Sequence, residues 1–242
     1  MHFPELDSTN AYALKLLSKS NPAEGTVIST DFQQLGRGQL GSSWHAQARQ
    51  NIMLSLILYP DFLLPKQQFR LNQAVALGVY DFVETLLSEP VRIKWPNDIY
   101  VGDQKLGGIL IQNSILPTAI NSSVVGIGIN VNQVDFPPSL PNPCSLATLT
   151  RKDKNVRKLT ARLCQHLERR YLQLKAGKHR QMQEEYLLCL YKFMEETLFQ
   201  TADGRLISGR ITGVTESGKL SIHHTNGAEH FGLKEIQLIQ RS

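Results

Sequence analysis

Apolar and polar positions follow one kind of pattern before about residue 195 and another after it. Before it, apolar residues recur every three to four positions or stand in short continuous runs, which is typical of amphipathic helices and buried strands. Helices are predicted at 11–19, 66–88, 156–174 and 181–192, and strands at 25–33, 51–59, 91–95, 99–101, 105–112 and 123–131. The first helix should begin after the polar run Asp7-Ser8-Thr9-Asn10, whose side chains can accept hydrogen bonds from a first helical turn.

The tail of the chain has the pattern of a small β-structure. Short β-rich runs are separated by Asp203-Gly204, Ser217-Gly218 and Asn226-Gly227, which are typical hairpin turns. A segment of this size cannot bury a large core by itself, so it should close into a small barrel that packs on the preceding residues. The sequence therefore predicts two domains, 1–193 and 194–242.

Composition and charge narrow the class of protein without selecting a function. The chain has 242 residues, of which 41% are hydrophobic and 19% charged, so a globular core is expected and disorder is not. The net charge of +5 favours anionic partners, which include nucleotides, nucleic acid and acidic protein surfaces. The clustered bases, at 151–158 and in the pair Arg169–Arg170, are best explained as solvated helix faces.

Cysteine usage and the N-terminal sequence point to a cytoplasmic protein. Cys144, Cys164 and Cys189 are far apart, and no CxxC pair is present, so neither a zinc site nor a disulfide framework is predicted. The N-terminus lacks the basic and apolar regions of a signal peptide. No apolar stretch is long enough to span a bilayer.

A glycine-rich loop, Gly36-Arg37-Gly38-Gln39-Leu40-Gly41, is the first candidate for chemistry. It is not a Walker motif, because no GK[ST] follows, and it leads to a strand where a Rossmann fingerprint would lead to a helix. Such a loop can be a mobile surface turn. It can also be an anion site, since bare backbone N–H groups next to the Arg37 guanidinium suit phosphate or carboxylate oxygens.

A second candidate combines Lys94-Trp95-Pro96-Asn97-Asp98 with Lys105-Leu106-Gly107-Gly108-Ile109. Packing alone can explain Trp95 as a core residue, Pro96 as the end of a strand and the next two residues as a turn. It does not explain Lys105 at the start of a very apolar strand, where a cation is costly unless it meets an anion. A ligand carboxylate or phosphate at Lys105 would remove that cost.

A third candidate is the strand end Gly126-Ile127-Gly128-Ile129-Asn130. Asparagine is disfavoured inside a strand, and the glycines allow close approach to the backbone. The segment is either a strand running into a loop or a site where the Asn130 amide contacts the edge of a base.

Taken together, these segments resemble the biotin–protein ligase family over essentially the whole chain. The motifs appear in the family's order and spacing, and as a set they are highly specific. They are Ser8-Thr9-Asn10, Gln33 with Gly36-Arg37-Gly38 and Trp44, Lys94 to Asp98, Lys105 to Leu110, and Gly126 to Asn130.

The resemblance implies an α+β fold, with a catalytic domain akin to class II aminoacyl-tRNA synthetases at 1–193 and an SH3-like barrel at 194–242. It implies that ATP, with Mg²⁺, activates biotin as biotinyl-5′-AMP, and that the acyl group passes to a lysine of a biotin carboxyl carrier domain. It also allows a homodimer through the central sheet. No membrane partner is expected.

The resemblance also implies roles for individual residues. Lys105, Arg37 and Asp98 are the candidate catalytic residues, and Lys105 should hold the biotin carboxylate and the α-phosphate together. Asp98 would accept either Mg²⁺ or the incoming lysine. Biotin is assigned to Ser8, Thr9, Asn10, Gln33, Arg37, Gly38, Gln39 and Lys105, and the nucleotide to Trp44, Asn97 and Asn130.

Two departures from the family pattern carry expectations of their own. Many members have a second basic residue at the position of Gln39, so this chain should hold the adenylate less tightly. Some members carry an N-terminal helix-turn-helix and act as repressors. Here the Ser-Thr-Asn motif begins at residue 8, so we expect no such domain and no DNA partner.

Two rival functions remain open at this point. A lipoate or octanoate ligase on the same fold would need an apolar slot for the acyl chain, whereas the glycine loop and the segment from Lys94 to Asp98 favour biotin. A nucleic-acid-binding module is suggested by the positive charge and the predicted barrel. It is disfavoured because the tail has only Phe199 and Phe231 as aromatic residues.

Overall fold

The computed structural model describes residues 1–239, and its larger part is built on a seven-stranded mixed sheet. Residues 240–242 of the predicted tail domain lie outside the described residues. The strands are β1 (His2–Phe3), β2 (Val27–Thr30), β3 (Asn51–Leu58), β4 (Val91–Lys94), β5 (Asp98–Val101), β6 (Gln104–Ile115) and β7 (Ile120–Asn130). Their order is β1-β2-β3-β7-β6-β5-β4, with β1 parallel to β2 and the other neighbours antiparallel.

Helices cover both faces of this sheet. They are α1 (Thr9–Leu17), α2 (Gln68–Glu84), α3 (Leu146–Thr150), α4 (Val156–Lys175) and α5 (His179–Leu188). On one face α2 packs against β4 and β5, α4 packs against β3, and the two helices contact each other. On the other face α1 packs against β2, β3 and β7. Strand β3 is therefore buried along its whole length, which explains its continuous apolar run. Within residues 1–239, no helix has the length and apolar character needed to cross a membrane.

The amphipathic stripe predicted in the long basic helix is confirmed. Leu159, Leu163, Leu167, Tyr171 and Leu174 of α4 are all buried. Leu167 packs against α2 at Gly78, which lets the two helices approach closely, because a Cβ there would lie 3.1 Å from the Cα of Leu167. The predicted solvated basic face is confirmed only in part. Arg157 and Lys158 are exposed on α4, but residues 151–154 precede the helix, and the Arg170 side chain is only 13% exposed and pairs with Asp81 and Glu185.

The last predicted helix ends earlier than its local pattern indicates. The sequence predicts a helix at 181–192, whereas α5 ends at Leu188. The backbone of Cys189 and Tyr191 instead bonds to Ile93 at the edge of β4, with N···O distances of 2.9 and 2.8 Å. Satisfying an open sheet edge outweighs the last helical turn. The short elements β1 and α3 were not predicted.

The tail forms a second, five-stranded antiparallel sheet. Its strands are β8 (Glu196–Thr201), β9 (Leu206–Val214), β10 (Leu220–His224), β11 (Gly227–Phe231) and β12 (Ile236–Leu238). The order β11-β10-β9-β8-β12 leaves β11 and β12 at separate edges, so the sheet is open and the predicted closed barrel is not confirmed. The predicted turns are confirmed, since Gly204, Gly218 and Gly227 all have positive φ.

The second sheet packs on the first part of the chain, as predicted for a segment too small to fold around its own core. The Trp95 indole donates to the Gly218 carbonyl at 2.9 Å, and the Phe69 ring lies against the same glycine. Arg70 forms an ion pair with Glu216 at 2.7 Å. These contacts place the second sheet next to the segment that follows β4.

Candidate functional site

A cavity of about 920 Å³ lies where the glycine loop, the first sheet and the second sheet meet. It is lined by the start of α1, the loop between β2 and β3, the β4–β5 turn, parts of β6 and β7, and residues of β8 and β12. Every predicted site residue except Asn130 lines this cavity. They are Ser8, Thr9, Asn10, Gln33, Arg37, Gly38, Gln39, Trp44, Asn97, Asp98 and Lys105.

One end of the cavity is polar and is organised by the start of α1. Ser8 caps the helix, and its hydroxyl accepts from the Ala11 N–H at 3.5 Å. The amide oxygen of Gln33 accepts from the Thr9 N–H at 2.8 Å and from the Thr9 hydroxyl at 3.1 Å. Both bonds use the oxygen of the Gln33 amide, and its NH₂ group has no hydrogen-bond partner among residues 1–239, so this group can bind a ligand.

The Asn10 side chain is held by other protein groups. Its NH₂ group donates to Gln112 Oε1 at 2.9 Å and to the Leu110 carbonyl at 3.3 Å, and its oxygen accepts from the Ser55 hydroxyl at 2.5 Å. A Cβ at Gly126 would overlap the Asn10 carboxamide. The Asn10 amide therefore forms a fixed wall of the cavity that depends on a glycine behind it.

Lys105 and Asp98 form an ion pair inside the cavity, with Nζ and Oδ1 2.8 Å apart. The backbone of Lys105 is pinned on the other side, where its N–H donates to Asn142 and its carbonyl accepts from Cys144. Gly108 leaves room for the pair, since a Cβ there would lie 3.4 Å from the Asp98 carboxylate. The cost of a cation on this strand is thus already offset by Asp98, a partner that the sequence analysis did not assign to it.

A second lysine, Lys94, lies next to this pair. Its ammonium donates to the Tyr100 hydroxyl at 3.2 Å and lies 4.6 Å from the centre of the Tyr100 ring. Burial lowers the pKa of Lys94 below its usual value, Asp98 opposes that shift, and Lys105 adds to it. With two ammonium groups around one carboxylate, this part of the cavity suits an anionic ligand.

Trp44 covers the glycines of two neighbouring strands. A Cβ at Gly128 would lie 2.5 Å from an indole carbon, and one at Gly108 would lie 3.5 Å from the ring. The buried indole N–H of Trp44 has no hydrogen-bond partner among residues 1–239. The ring thus presents a flat apolar surface and one unused donor, both suited to a planar ligand.

The glycine loop folds as a compact turn over the cavity. The Gly38 N–H donates to the Ser42 carbonyl at 2.7 Å, and the Trp44 N–H donates to the Gly36 carbonyl at 2.9 Å. A Cβ at Gly38 would overlap the Ser42 hydroxyl. Within the described part of the chain, no carboxylate forms an ion pair with the exposed Arg37, so its charge is available to an anion in the cavity.

The two asparagines assigned to the nucleotide differ in position. Asn97 lines the cavity, although its NH₂ group donates to the Ile109 carbonyl and its own carbonyl accepts from the Ile109 N–H at 3.0 Å. Asn130 does not line the cavity. Its buried amide donates to the Cys144 carbonyl at 2.9 Å and holds the segment that follows β7.

Sequence reasoning missed several residues that shape the site. Ser55 lies directly behind Thr9 and Asn10, and its signal was a lone hydroxyl in the apolar run 52–58, since a buried polar group needs a partner. The cavity residues contributed by the second sheet gave no signal in the sequence. They are far along the chain from the other motifs, so their contact with the cavity could not be predicted. They include Gln200, Thr201, Lys234 and Gln237.

The sequence matches a family model described as "Biotin/lipoate A/B protein ligase family" over residues 2–132, which is more than half of the chain. It is 40% identical over 126 residues to the "Bifunctional ligase/repressor BirA" of Bacillus spizizenii, a match that covers 51% of this chain and 38% of that protein. A "Biotin--[acetyl-CoA-carboxylase] ligase" of Mycobacterium tuberculosis is 33% identical over 171 residues, covering 69% of this chain and 61% of the relative. The chain thus spans less than half of the first of these relatives.

The fold is similar to that of solved structures along its full length. A structure described as "Biotin protein ligase from Aquifex aeolicus in complex with biotin and ATP" superposes with a TM-score of 0.80 at 25% identity, covering 100% of this chain and 98% of the other. A Leishmania major biotin protein ligase in complex with biotinyl-5-AMP superposes with a TM-score of 0.66 at 20% identity and shows the shared fold.

Proposed function

This chain belongs to the biotin/lipoate A/B protein ligase family, and from that membership we propose that it is an ATP-dependent biotin–protein ligase. In the first step the biotin carboxylate attacks the α-phosphate of ATP, giving biotinyl-5′-AMP and pyrophosphate. In the second, a lysine amine of a biotin carboxyl carrier domain attacks the acyl carbon, an amide forms and AMP leaves. The observation that carries this proposal is a single cavity holding an amide donor, a fixed lysine and an open tryptophan face.

The polar end of the cavity suits the ureido ring of biotin. The free NH₂ group of Gln33 can donate to the ureido carbonyl, and Ser8 and Thr9 supply further polar atoms around it. A site with committed donors rejects a molecule that lacks the matching acceptor, because its own polar groups are then left unpaired. Leu54, Leu110 and Ile127 line the cavity beside this end and suit the hydrocarbon part of biotin.

Lys105 is the group that would bring the two reacting anions together. Carboxylate and α-phosphate repel each other, so a fixed cation between them lowers the electrostatic barrier to their reaction. The pair with Asp98 holds the ammonium in place before ligands arrive. Arg37, Gly38 and Gln39 would close over the adenylate from the glycine loop.

The nucleotide would lie against Trp44 and the strand ends beneath it. The indole offers a planar surface, and Asn97 stands at the neighbouring turn. Mg²⁺ would enter with the phosphates of ATP, and Asp98 is the carboxylate lining the cavity that would hold it there. Within residues 1–239, no three His, Cys, Asp or Glu side chains are grouped to hold a metal alone, and Mg²⁺ typically binds through phosphates, waters and one or two carboxylates.

For the second step we propose that Asp98 also receives the carrier lysine. Its carboxylate lies beside the Lys105 ammonium in the cavity, where it can orient an incoming ammonium group and accept its proton. Residues 1–193 would form the catalytic domain, akin to class II aminoacyl-tRNA synthetases, and residues 194–242 an SH3-like domain. The second domain supplies one wall of the cavity.

Lipoate is the competing substrate, since the matching family includes ligases for both acids. A lipoyl chain offers no ureido group, and the NH₂ group of Gln33 would then remain unpaired inside the cavity. ATP–pyrophosphate exchange measured with biotin and with lipoate separates the two substrates. We expect exchange with biotin and none with lipoate, whereas stimulation by lipoate alone would reverse the assignment. Mass spectrometry of a carrier domain should then show one biotinylated lysine, formed only when ATP is present.

Gln39→Arg should slow the release of the adenylate. Gln39 lines the cavity in the short turn Gln39–Gly41, and a guanidinium there would add a charge-assisted bond to the phosphate. Such a bond contributes about 1.5–3 kcal/mol, so dissociation should slow by about tenfold or more. The measurement is release of labelled biotinyl-5′-AMP by rapid filtration. Gln39→Met, which changes the side chain without adding charge, is the matched control, and equal release rates in all three proteins would end the idea.

A further inference from the structure

Lys94, at the end of β4, is a cation in the cavity to which the proposed function assigns no role. Its side chain lines the cavity together with those of Asp98 and Lys105. Lys94 and Asp98 are cross-strand partners of β4 and β5, and partners in an antiparallel pair project from the same face of a sheet. Since β5 lies between β4 and β6, the two lysines flank Asp98 on the cavity face.

The charge of Lys94 is not balanced by an ion pair within the protein. Among residues 1–239, no carboxylate pairs with it, and Asp98 is already paired with Lys105 at 2.8 Å. Asp103, the other carboxylate whose charge acts on Lys94, does not line the cavity. The ammonium is held by the hydroxyl and the ring of Tyr100, which are both uncharged. A half-buried cation held in this way is costly until an anion joins it.

The order of the strands places Lys94 beyond Lys105 as seen from the candidate biotin site. That site lies at the start of α1 and at Gly126 of β7, Lys105 lies near the start of β6, and Lys94 ends β4. The sheet order β7-β6-β5-β4 therefore gives the sequence biotin end, Lys105, Lys94. In a displacement at phosphorus, the attacking and leaving oxygens lie roughly in line on opposite sides of the phosphorus. If carboxylate and α-phosphate meet at Lys105, the leaving group should point toward Lys94.

We propose that Lys94 binds the pyrophosphate that leaves ATP in the first step, a role that rests on the proposed function. As a biotin carboxylate oxygen bonds to the α-phosphorus, the bond from that phosphorus to the oxygen bridging the α- and β-phosphates breaks. The electron pair stays on the bridging oxygen, which becomes a terminal oxygen of pyrophosphate, and no proton needs to move. The Lys94 ammonium stabilises the charge that develops there. Lys105 thus acts on the attacking side of the phosphorus and Lys94 on the leaving side.

The two reaction steps provide the test, because pyrophosphate takes part only in the first. Lys94→Met removes the ammonium and keeps an unbranched chain against the Tyr100 ring. In ATP–pyrophosphate exchange at fixed magnesium, its KM for pyrophosphate should rise about tenfold or more, the effect of one lost hydrogen bond to a charged group. The KM for biotin should stay at the wild-type value. Transfer from supplied biotinyl-5′-AMP to a carrier domain should proceed at the wild-type rate.

Lys192→Met is the matched control. The Lys192 ammonium also lies over a tyrosine ring, 5.6 Å from the centre of Tyr191, but it pairs with Glu195 at 2.9 Å and does not line the cavity. Its loss removes the same charge and should leave the KM for pyrophosphate unchanged. Lys94→Arg, which keeps a cation at the site, should keep this KM much closer to the wild-type value than Lys94→Met. If Lys94→Met does not fold, Lys94→Gln takes its place with the same expectation.

An unchanged KM for pyrophosphate in a folded variant without the Lys94 charge would overturn this role and leave the proposed function standing. Equal slowing of exchange and of transfer from supplied adenylate would also overturn it, since a distorted β4–β5 turn would then explain both. So would an equal rise of the KM in Lys192→Met, which would indicate a general effect of net charge. A wild type that makes no biotinyl-5′-AMP from biotin and ATP would instead contradict the proposed function.

Discussion

Lys105→Ala should reduce formation of biotinyl-5′-AMP by at least about 100-fold, the scale expected when one fixed electrostatic group is removed from a reacting centre. Lys105 is the cation placed in the cavity by pinned backbone on one side and by Asp98 on the other. Removing it leaves the biotin carboxylate and the α-phosphate to repel each other without the charge of Lys105 fixed between them. Initial rates of ATP–pyrophosphate exchange with biotin measure this directly.

The same change should leave the fold nearly as stable as before. The Lys105 and Asp98 side chains are 32% and 23% exposed, and a pair that water reaches in this way contributes only about 1 kcal/mol or less. The melting temperature should therefore move little. Lys152→Ala, which removes an exposed lysine outside the cavity, controls for net charge and should retain full exchange. Near-normal exchange in the Lys105 variant would refute the role given to this residue.

Gly126→Ala should lower the affinity for biotin by about 100-fold or more. The added Cβ would overlap the Asn10 carboxamide, which cannot move aside without breaking bonds to Ser55, Gln112 and the Leu110 carbonyl. Each buried polar group left without its partner costs about 1–3 kcal/mol, so losing two of these bonds accounts for the effect. Titration calorimetry with biotin gives the dissociation constant.

Gly213→Ala is the matched control for that substitution. Gly213 lies in β9, and a Cβ there would meet nothing within 4 Å. It should bind biotin as the wild type does. A Gly126 variant with wild-type affinity would mean that the Asn10 wall is not part of the binding site.

The sequence predicted the elements whose local pattern and tertiary environment agree. The stripe on α4 and the buried run on β3 were both predicted. A helix that buries one face has apolar residues every three to four positions, whereas a strand covered on both faces is apolar throughout. The predicted end of α5 was wrong, because the backbone of residues 189–191 bonds to the edge of β4 instead of continuing the helix. A distant sheet edge has no local signature, so a helical pattern was extended through it.

The sequence likewise predicted the site residues that have a local signal and missed those that depend on contacts between distant parts of the chain. Lys105 was identified from the cost of a cation on an apolar strand, but its partner Asp98 could be assigned only once β5 and β6 were paired in register. Asn130 was expected at the cavity, and the structure places its amide against Cys144. The wall formed by the second sheet depends on contacts between distant parts of the chain and could not be predicted from either part.

The resemblance and the geometry support the proposal independently. The resemblance rests on the order and spacing of the motifs along the chain. The structure brings nearly all of their residues around one cavity, whose donors, cations and flat ring suit the acyl group, the phosphate and the base of an acyl-adenylate. That agreement concerns the first reaction step. The carrier lysine and the fate of the adenylate belong to the second.

The most direct test of the central claim is a single incubation of the purified protein with biotin, magnesium and ATP labelled at the α-phosphate. The label should move into biotinyl-5′-AMP, identified by its mass, in an amount comparable to the protein present. Lys105→Ala should form almost none. Failure of the wild type to transfer the label to biotin would contradict the claim that this cavity joins a carboxylate to a nucleotide phosphate.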